Sequence, residues 1–136
     1  VKESWDANVH PLAKVEEVIK NVIAQKADTV VVTGGEPLLY NLDFLCLELK
    51  RKNISTFIET SGSYSLSGKW DWICLSPKKN LLPLSKIYSR ANELKMIIFN
   101  RHDFVFAEEQ SQKVNKNCFL FFISFKNSFL ILVPST

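Results

Sequence analysis

A run of β-branched residues that stops at two glycines is the feature that most constrains this chain. Residues 29–33 read Thr-Val-Val-Val-Thr, and residues 34–37 read Gly-Gly-Glu-Pro. Consecutive valines without polar alternation favour a strand that is covered on both faces, as in a parallel sheet. Paired glycines allow a positive φ or a close approach of the backbone to a ligand. Because ligands bind at the carboxyl ends of such strands, we expect a binding loop at Glu36.

The remaining periodicity predicts alternating helices and strands. Helices are predicted at 12–25, 41–52, 84–92 and 104–114, with Asn41 and Asp103 as N-caps of the second and the last. Strands are predicted at 29–33, 54–59, 71–75, 94–99 and 118–122. This alternation is typical of βα units around a parallel sheet, so we predict an α/β fold. The apolar stretch 123–136 has no firm interpretation, although an extra edge strand is one option.

Polar residues follow each of the first three predicted strands. They comprise Gly34-Gly35-Glu36-Pro37, Glu59-Thr60-Ser61-Gly62 and Ser76-Pro77-Lys78-Lys79-Asn80. Carboxyl ends of parallel strands lie at one edge of the sheet, so these loops form a candidate site. Each loop taken alone also fits a simpler interpretation, namely a tight turn with solvated charges.

Composition narrows the class of protein. The chain of 136 residues is long enough for one domain but shorter than a complete α/β barrel, which needs about 250 residues. A net charge of +3 without clustered Lys and Arg does not favour nucleic-acid binding. No stretch resembles a membrane span or a signal peptide.

The three cysteines, Cys46, Cys74 and Cys118, are odd in number and widely spaced. Neither a disulfide framework nor a pair of metal ligands is indicated, and each cysteine lies in an apolar run. We therefore predict buried, reduced thiols, which suits the cytoplasm.

Several strings, taken in order, resemble the 7-carboxy-7-deazaguanine synthase family of radical S-adenosylmethionine enzymes. They are Lys2-Glu3-Ser4-Trp5-Asp6, His10-Pro11, Thr33-Gly34-Gly35-Glu36-Pro37, Glu59-Thr60-Ser61-Gly62, Trp70-Asp71-Trp72, Leu75-Ser76-Pro77-Lys78-Lys79-Asn80 and Ala91-Asn92-Glu93-Leu94-Lys95. The resemblance implies a partial (β/α) barrel with a mostly parallel sheet, lacking the first strand and the cluster loop. It also implies a barrel domain at residues 1–122 and a divergent C-terminal tail at residues 123–136.

The resemblance also implies roles for individual residues. Gly34, Gly35 and Glu36 would bind the methionyl end of S-adenosylmethionine, and Ser76, Pro77 and Lys78 would form a second cofactor loop. Thr33, Glu59 and Thr60 would contact the substrate. No catalytic residue and no metal ligand is assigned within this chain.

The implied reaction converts 6-carboxy-5,6,7,8-tetrahydropterin to 7-carboxy-7-deazaguanine in queuosine biosynthesis. Its cofactors would be S-adenosylmethionine, a 4Fe-4S cluster and Mg²⁺, with a flavodoxin-type electron donor and a homodimer as partners, and no role for nucleic acid or membranes. The cluster cysteines would precede Val1, so the chain alone is expected to be inactive. Two alternatives stay open, which are another radical enzyme such as a glycyl-radical activase, and a non-catalytic remnant that binds a nucleoside-like ligand.

Overall fold

The computed structural model describes residues 13–124 and 129–133, and the motif strings before residue 13 lie outside these ranges. The helices are α1 (Val15–Ala24), α2 (Asp43–Arg51), α3 (Ser85–Tyr88) and α4 (Arg101–Ser111). The strands are β1 (Thr29–Val32), β2 (Ser55–Thr60), β3 (Trp72–Leu75), β4 (Glu93–Ile98), β5 (Phe119–Ser124) and β6 (Phe129–Val133). A 3-10 turn, Pro37–Leu39, follows β1. In the part of the chain that the structure describes, no helix has the length and apolar character needed to cross a bilayer.

The strands form a single sheet in which spatial order follows chain order, from β1 to β6. The first five strands are parallel, and β6 pairs antiparallel with β5 at the edge. The predicted α/β fold with a mostly parallel sheet is therefore confirmed. β5 runs to Ser124, past the domain boundary expected at residue 122, and β6 is an edge strand within the stretch that had no firm interpretation.

The helices pack against one face of the sheet and enclose the core. Leu49 of α2 and the strand residues Leu75 and Leu94 are fully buried, and Ala107 of α4 joins the same cluster. Among the described residues, no helix covers the other face, which we term the open face. It carries Phe57, Glu59, Trp72, Cys74, Glu93 and Lys95.

The expectation that the first strand is covered on both faces is wrong. Val30 and Val32 are half-buried against the core cluster, whereas the side chain of Val31 is 58% exposed. The reason is positional, because β1 lies at the edge of the described sheet and Val31 points to the open face. Valine favours strands whether one face or both are covered, so the triplet does not distinguish the two arrangements.

The two predicted helix caps are corrected in detail. Asn100, and not Asp103, is the N-cap of α4, and Asp103 completes a capping box from inside the helix by accepting from the backbone of Asn100. Asn41 accepts from Asp43 N at 2.9 Å, although Leu42 occupies the cap position of α2. In both cases the predicted side chain accepts a hydrogen bond from a backbone N–H group at the helix start, although it does not occupy the N-cap position.

Candidate functional site

Glu36 ties the loop after β1 to the loop after β2. One carboxylate oxygen accepts from Leu38 N at 3.1 Å and from the Thr60 hydroxyl at 2.6 Å. The other oxygen accepts from Ser61 N at 2.8 Å and from the Ser61 hydroxyl. The carboxylate therefore makes four hydrogen bonds within the protein, and it is half-buried where it does so.

These contacts hold Glu36 in its ionised form. Burial raises the pKa of Glu36, but hydrogen bonds from Ser61, Thr60 and Leu38 outweigh that effect, so the pKa lies below its ordinary value of 4.5. Stability that depends on the carboxylate is therefore present above about pH 4.5 and is lost as the pH falls through the lowered pKa.

Further hydrogen bonds of Thr60 connect this cluster to the loop after β3. The carbonyl oxygen of Thr60 accepts from Ser76 N at 2.8 Å, and the Thr60 hydroxyl accepts from Gly62 N at 3.0 Å. Glu36, Thr60 and Ser76 thus connect the carboxyl ends of three neighbouring strands. The three sequence motifs that lie far apart in the chain are brought together as expected from the parallel topology.

The two glycines before Glu36 face open space. A Cβ atom added at Gly34 or Gly35 would meet nothing within 4 Å, and Gly34 has a φ of +128°. Packing against the protein therefore does not account for the absence of a side chain at Gly35. The exposed backbone at these positions is accessible to a ligand.

Gly62 differs from these glycines because it is packed. Its φ is +74°, and an added Cβ would lie 2.5 Å from Leu75 Cδ1 and 3.1 Å from Ile87 Cγ2. The glycine of the second motif is thus required by the fold, whereas the glycines of the first motif are free for contact with a ligand.

In the loop formed by Ser76, Pro77 and Lys78, only Lys78 is exposed to solvent. Ser76 is 5% exposed and Pro77 is buried, while Lys78 is exposed and donates to the Ser76 hydroxyl at 3.2 Å. This arrangement leaves the Lys78 ammonium accessible next to Ser76, whose backbone is linked to Thr60.

The predicted substrate residues divide between two faces of the sheet. Thr33 is exposed at the end of β1, and Glu59 lies half-buried on the open face. Thr60 points to the helix-covered face, is 2% exposed and uses its hydroxyl on Glu36. The structure therefore brings Thr60 to the loop that holds Glu36 and separates its side chain from that of Glu59.

The open face holds a polar cluster that the sequence analysis did not identify. Glu59 pairs with Lys95 at 2.6 Å. Glu93 accepts from Trp72 Nε1 at 3.1 Å and from the Cys74 thiol at 3.4 Å. The alternation of charged and apolar residues at Glu93, Leu94 and Lys95 is the signal that could have revealed one polar face of β4.

Aromatic rings border this cluster. The ring centroids of Phe57 and Trp72 are 6.1 Å apart, and those of Trp72 and Phe119 are 5.7 Å apart. Both distances fall in the range of favourable aromatic contacts. The open face thus combines flat apolar surface with charged groups.

Burial and neighbouring charges shift the pKa values of two groups in the cluster. For Lys95, burial lowers the pKa, but the hydrogen bond and charge of Glu59 outweigh it and raise the pKa above its ordinary value. For Cys74, burial and then the charges of Glu93 and Glu59 raise the pKa. Lys95 is therefore a cation and Cys74 a neutral thiol at physiological pH.

The cysteines do not form a metal centre in the described part of the chain. Cys46, Cys74 and Cys118 are buried, at 1%, 8% and 1% exposure, and all are free thiols. The prediction of buried, reduced cysteines is confirmed. Within residues 13–124 and 129–133, no group of three metal-ligating side chains is found.

Thiol labelling should reflect this burial. We expect Cys46 and Cys74 to react with a maleimide reagent at least about a hundredfold more slowly in the native chain than in denaturant, because both are buried and both pKa values are raised. Mass spectrometry of the labelled chain over time measures both rates. As a control, an Asn117→Cys substitution at an exposed position should label rapidly under native conditions. Rapid labelling of both buried residues would contradict the positions of α2 and β3.

Comparison with known proteins identifies the relatives of this chain. No protein-family model matches it. The 7-carboxy-7-deazaguanine synthase of Flavobacterium psychrophilum is 54% identical over 121 residues, which cover 89% of this chain and 57% of that protein. The synthase of Synechocystis sp. is 45% identical over 114 residues, covering 84% of this chain and 55% of that protein. The chain is a homologue of part of 7-carboxy-7-deazaguanine synthase.

A solved structure agrees with this assignment. The crystal structure of QueE from Escherichia coli matches with a TM-score of 0.75 and 28% identity, over 86% of this chain and 55% of that one. The resemblance inferred from the motifs and the expected fold class are both confirmed. The chain spans about half the length of the 7-carboxy-7-deazaguanine synthases that it matches.

Proposed function

We propose that this chain forms the cofactor- and substrate-binding part of a radical S-adenosylmethionine lyase that converts 6-carboxy-5,6,7,8-tetrahydropterin to 7-carboxy-7-deazaguanine. The observation that carries the proposal is the joining of three strand ends through Glu36, Thr60 and Ser76 beside two unobstructed glycines. The relatives described above are all 7-carboxy-7-deazaguanine synthases, which favours this reaction over that of a glycyl-radical activase.

The first loop suits the methionyl end of S-adenosylmethionine. An ammonium group needs acceptors, and Gly34 and Gly35, which precede Glu36 in the chain, leave open space where a side chain would lie. Because four protein donors already engage Glu36, we assign it a second role, which is to fix the glycines in place.

The second loop suits the carboxylate of the cofactor. The Lys78 ammonium is exposed and would attract a carboxylate, and Ser76 and Pro77 shape the loop that carries it. When bound, S-adenosylmethionine supplies the radical that begins the reaction. The contribution of this chain is to bind and orient the cofactor.

We propose that Thr33 and Glu59 contact the substrate directly. Thr60 would contribute through its hydrogen bond to Glu36. Thr33 is exposed at the end of β1, and Glu59 lies on the open face near the aromatic rings. A pterin offers N–H donors to a carboxylate and a flat ring to aromatic side chains.

The residues described here do not fit a 4Fe-4S cluster. Three thiolates must lie close together to hold such a cluster, and Cys46, Cys74 and Cys118 lie on a helix, in a strand and in the turn before another strand. We propose that the ligands of the cluster and of Mg²⁺ lie outside the residues described here. We also propose a flavodoxin-type electron donor, a homodimer and a cytoplasmic location, the last because buried reduced thiols suit a reducing compartment.

We propose further that the barrel part covers residues 1–122 and that the sequence diverges from residue 123 onward. β5 continues structurally to Ser124, so the divergence would begin inside a strand.

A substitution at Gly35 separates binding from folding. We expect Gly35→Val to lower the affinity for S-adenosylmethionine by at least about tenfold, because the new side chain occupies open space that the cofactor needs. The same substitution should leave the melting temperature within a few degrees, because nothing in the protein lies within 4 Å of the added Cβ. Calorimetric titration and thermal unfolding of the natural protein that contains this chain measure both effects.

The matched control is Gly68→Val. An added Cβ at Gly68 would lie 2.7 Å from Cys46 Sγ, so that variant should lose stability. If Gly35→Val bound the cofactor as tightly as the unaltered protein, the loop would be only a turn and the proposed function would lose its main support.

A further inference from the structure

Lys95 and Glu59 form an ion pair across the open face. Lys95 Nζ lies 2.6 Å from Glu59 Oε1, and the two side chains are 27% and 32% exposed. The pair joins β4 to β2 over the intervening β3, which already pairs with both strands through its backbone. Partial burial reduces solvent screening, so this contact is stronger than a fully exposed pair.

The pair keeps unused hydrogen-bonding capacity. Among the described residues, Glu59 Oε2 makes no hydrogen bond, and Lys95 uses one of its three ammonium donors. Glu93 differs, because Trp72 occupies one of its oxygens and the Cys74 thiol occupies the other. Glu59 Oε2 is thus the carboxylate oxygen of this cluster that no described protein group engages.

The surroundings of Glu59 make Lys95 its balancing charge. The titratable and charged groups that face Glu59 are Cys74 from β3 and Glu93 and Lys95 from β4. Without Lys95, two carboxylates and a thiol would lie together on a half-buried surface. A half-buried carboxylate without a counter-ion is unfavourable and free to rotate.

We propose that Lys95 is a positioning residue for Glu59. It fixes Oε1 and leaves Oε2 to accept from an N–H group of a flat heterocyclic substrate that lies against the rings of Phe57 and Trp72. This inference rests on the proposed function and adds a residue to which neither the motifs nor the comparisons assign a role. The reacting chemistry needs no new step, because Lys95 acts through Glu59.

A double-mutant cycle tests the inference in the natural protein that contains this chain. The affinity for 6-carboxy-5,6,7,8-tetrahydropterin is measured by calorimetry under anaerobic conditions for Lys95→Met, for Glu59→Gln and for the double variant. We expect each single change to weaken binding of the pterin by about tenfold. We expect the double variant to bind no more weakly than the single variant that binds less tightly. Lys95→Arg should bind within about threefold of the unaltered protein, since it keeps the charge.

Stability controls separate positioning from a structural role. The exposed Lys20→Met on α1 should change neither affinity nor melting temperature, and thermal unfolding is recorded for every variant. Should Lys95→Met fail to fold, the affinities of the double variant and of Lys95→Arg still show whether Lys95 acts through Glu59, because the double variant removes both charges together.

Each outcome has one meaning. Unchanged affinity in Lys95→Met, or losses that multiply to about a hundredfold in the double variant, would overturn the inference while leaving the proposed function intact. A lower melting temperature with unchanged affinity would show a purely structural pair. If the unaltered protein, folded and complete, did not bind the pterin, the proposed function itself would fall and the inference with it.

Discussion

Replacing Gly62 with alanine is expected to destabilise the chain by about 2–5 kcal/mol. The added Cβ would lie 2.5 Å from Leu75 Cδ1, in a core where Leu75 is fully buried. Overpacking of this kind costs about 1–3 kcal/mol. The left-handed φ of +74° adds about 1–2 kcal/mol for any residue with a side chain. Urea unfolding followed by circular dichroism measures the change.

Gly35→Ala is the matched control for this substitution. Its Cβ would meet nothing within 4 Å, so the free energy of unfolding should change by less than about 1 kcal/mol. Equal losses at the two positions would contradict the packing described around Gly62. A loss at Gly62 alone would show that the second motif is built for the fold.

Glu36→Gln is expected to destabilise the chain by about 2–4 kcal/mol at pH 7. The carboxylate accepts from Leu38, Thr60 and Ser61, and an amide places an N–H group against at least one of these donors. Leaving a buried donor without an acceptor costs about 1–3 kcal/mol, and the charge-assisted bonds are lost as well. The exposed Glu109→Gln on α4 should change stability by less than about 0.5 kcal/mol.

The effect of Glu36→Gln should depend on pH in one direction. Because the pKa of Glu36 is lowered from 4.5, the stability from the carboxylate is complete above about pH 4.5. As the pH falls through the lowered pKa, the unaltered chain loses that stability and the difference from Glu36→Gln shrinks. Unfolding curves at pH 7, 5 and 3 check the trend, and a difference that grew on acidification would contradict the described contacts.

The arrangement of strands and loops was predictable from the sequence because its signals are local. Runs of β-branched residues marked β1 and β2, and polar residues marked the point at which each strand ends. Parallel topology then required the loops carrying Glu36, Thr60 and Ser76 to meet. No long-range information was needed for that step.

Partners distant in sequence were not predictable. Glu36 is predicted to bind a ligand, yet its two carboxylate oxygens accept hydrogen bonds from Thr60 and Ser61, which lie 24 and 25 residues away. Whether Val31 was covered depended on what packs against the open face, and a triplet of valines carries no information about that. The pairing of Lys95 with Glu59 joins residues 36 positions apart, on strands that are separated by β3.

The most direct test of the central claim is product formation by the natural protein that contains this chain. The protein is reconstituted anaerobically with iron and sulfide, incubated with S-adenosylmethionine, reductant and 6-carboxy-5,6,7,8-tetrahydropterin, and the mixture is analysed by liquid chromatography and mass spectrometry. We predict 7-carboxy-7-deazaguanine with the unaltered protein and little or none with Gly35→Val. Absence of product from a folded protein with a full cluster and bound cofactor would contradict the account.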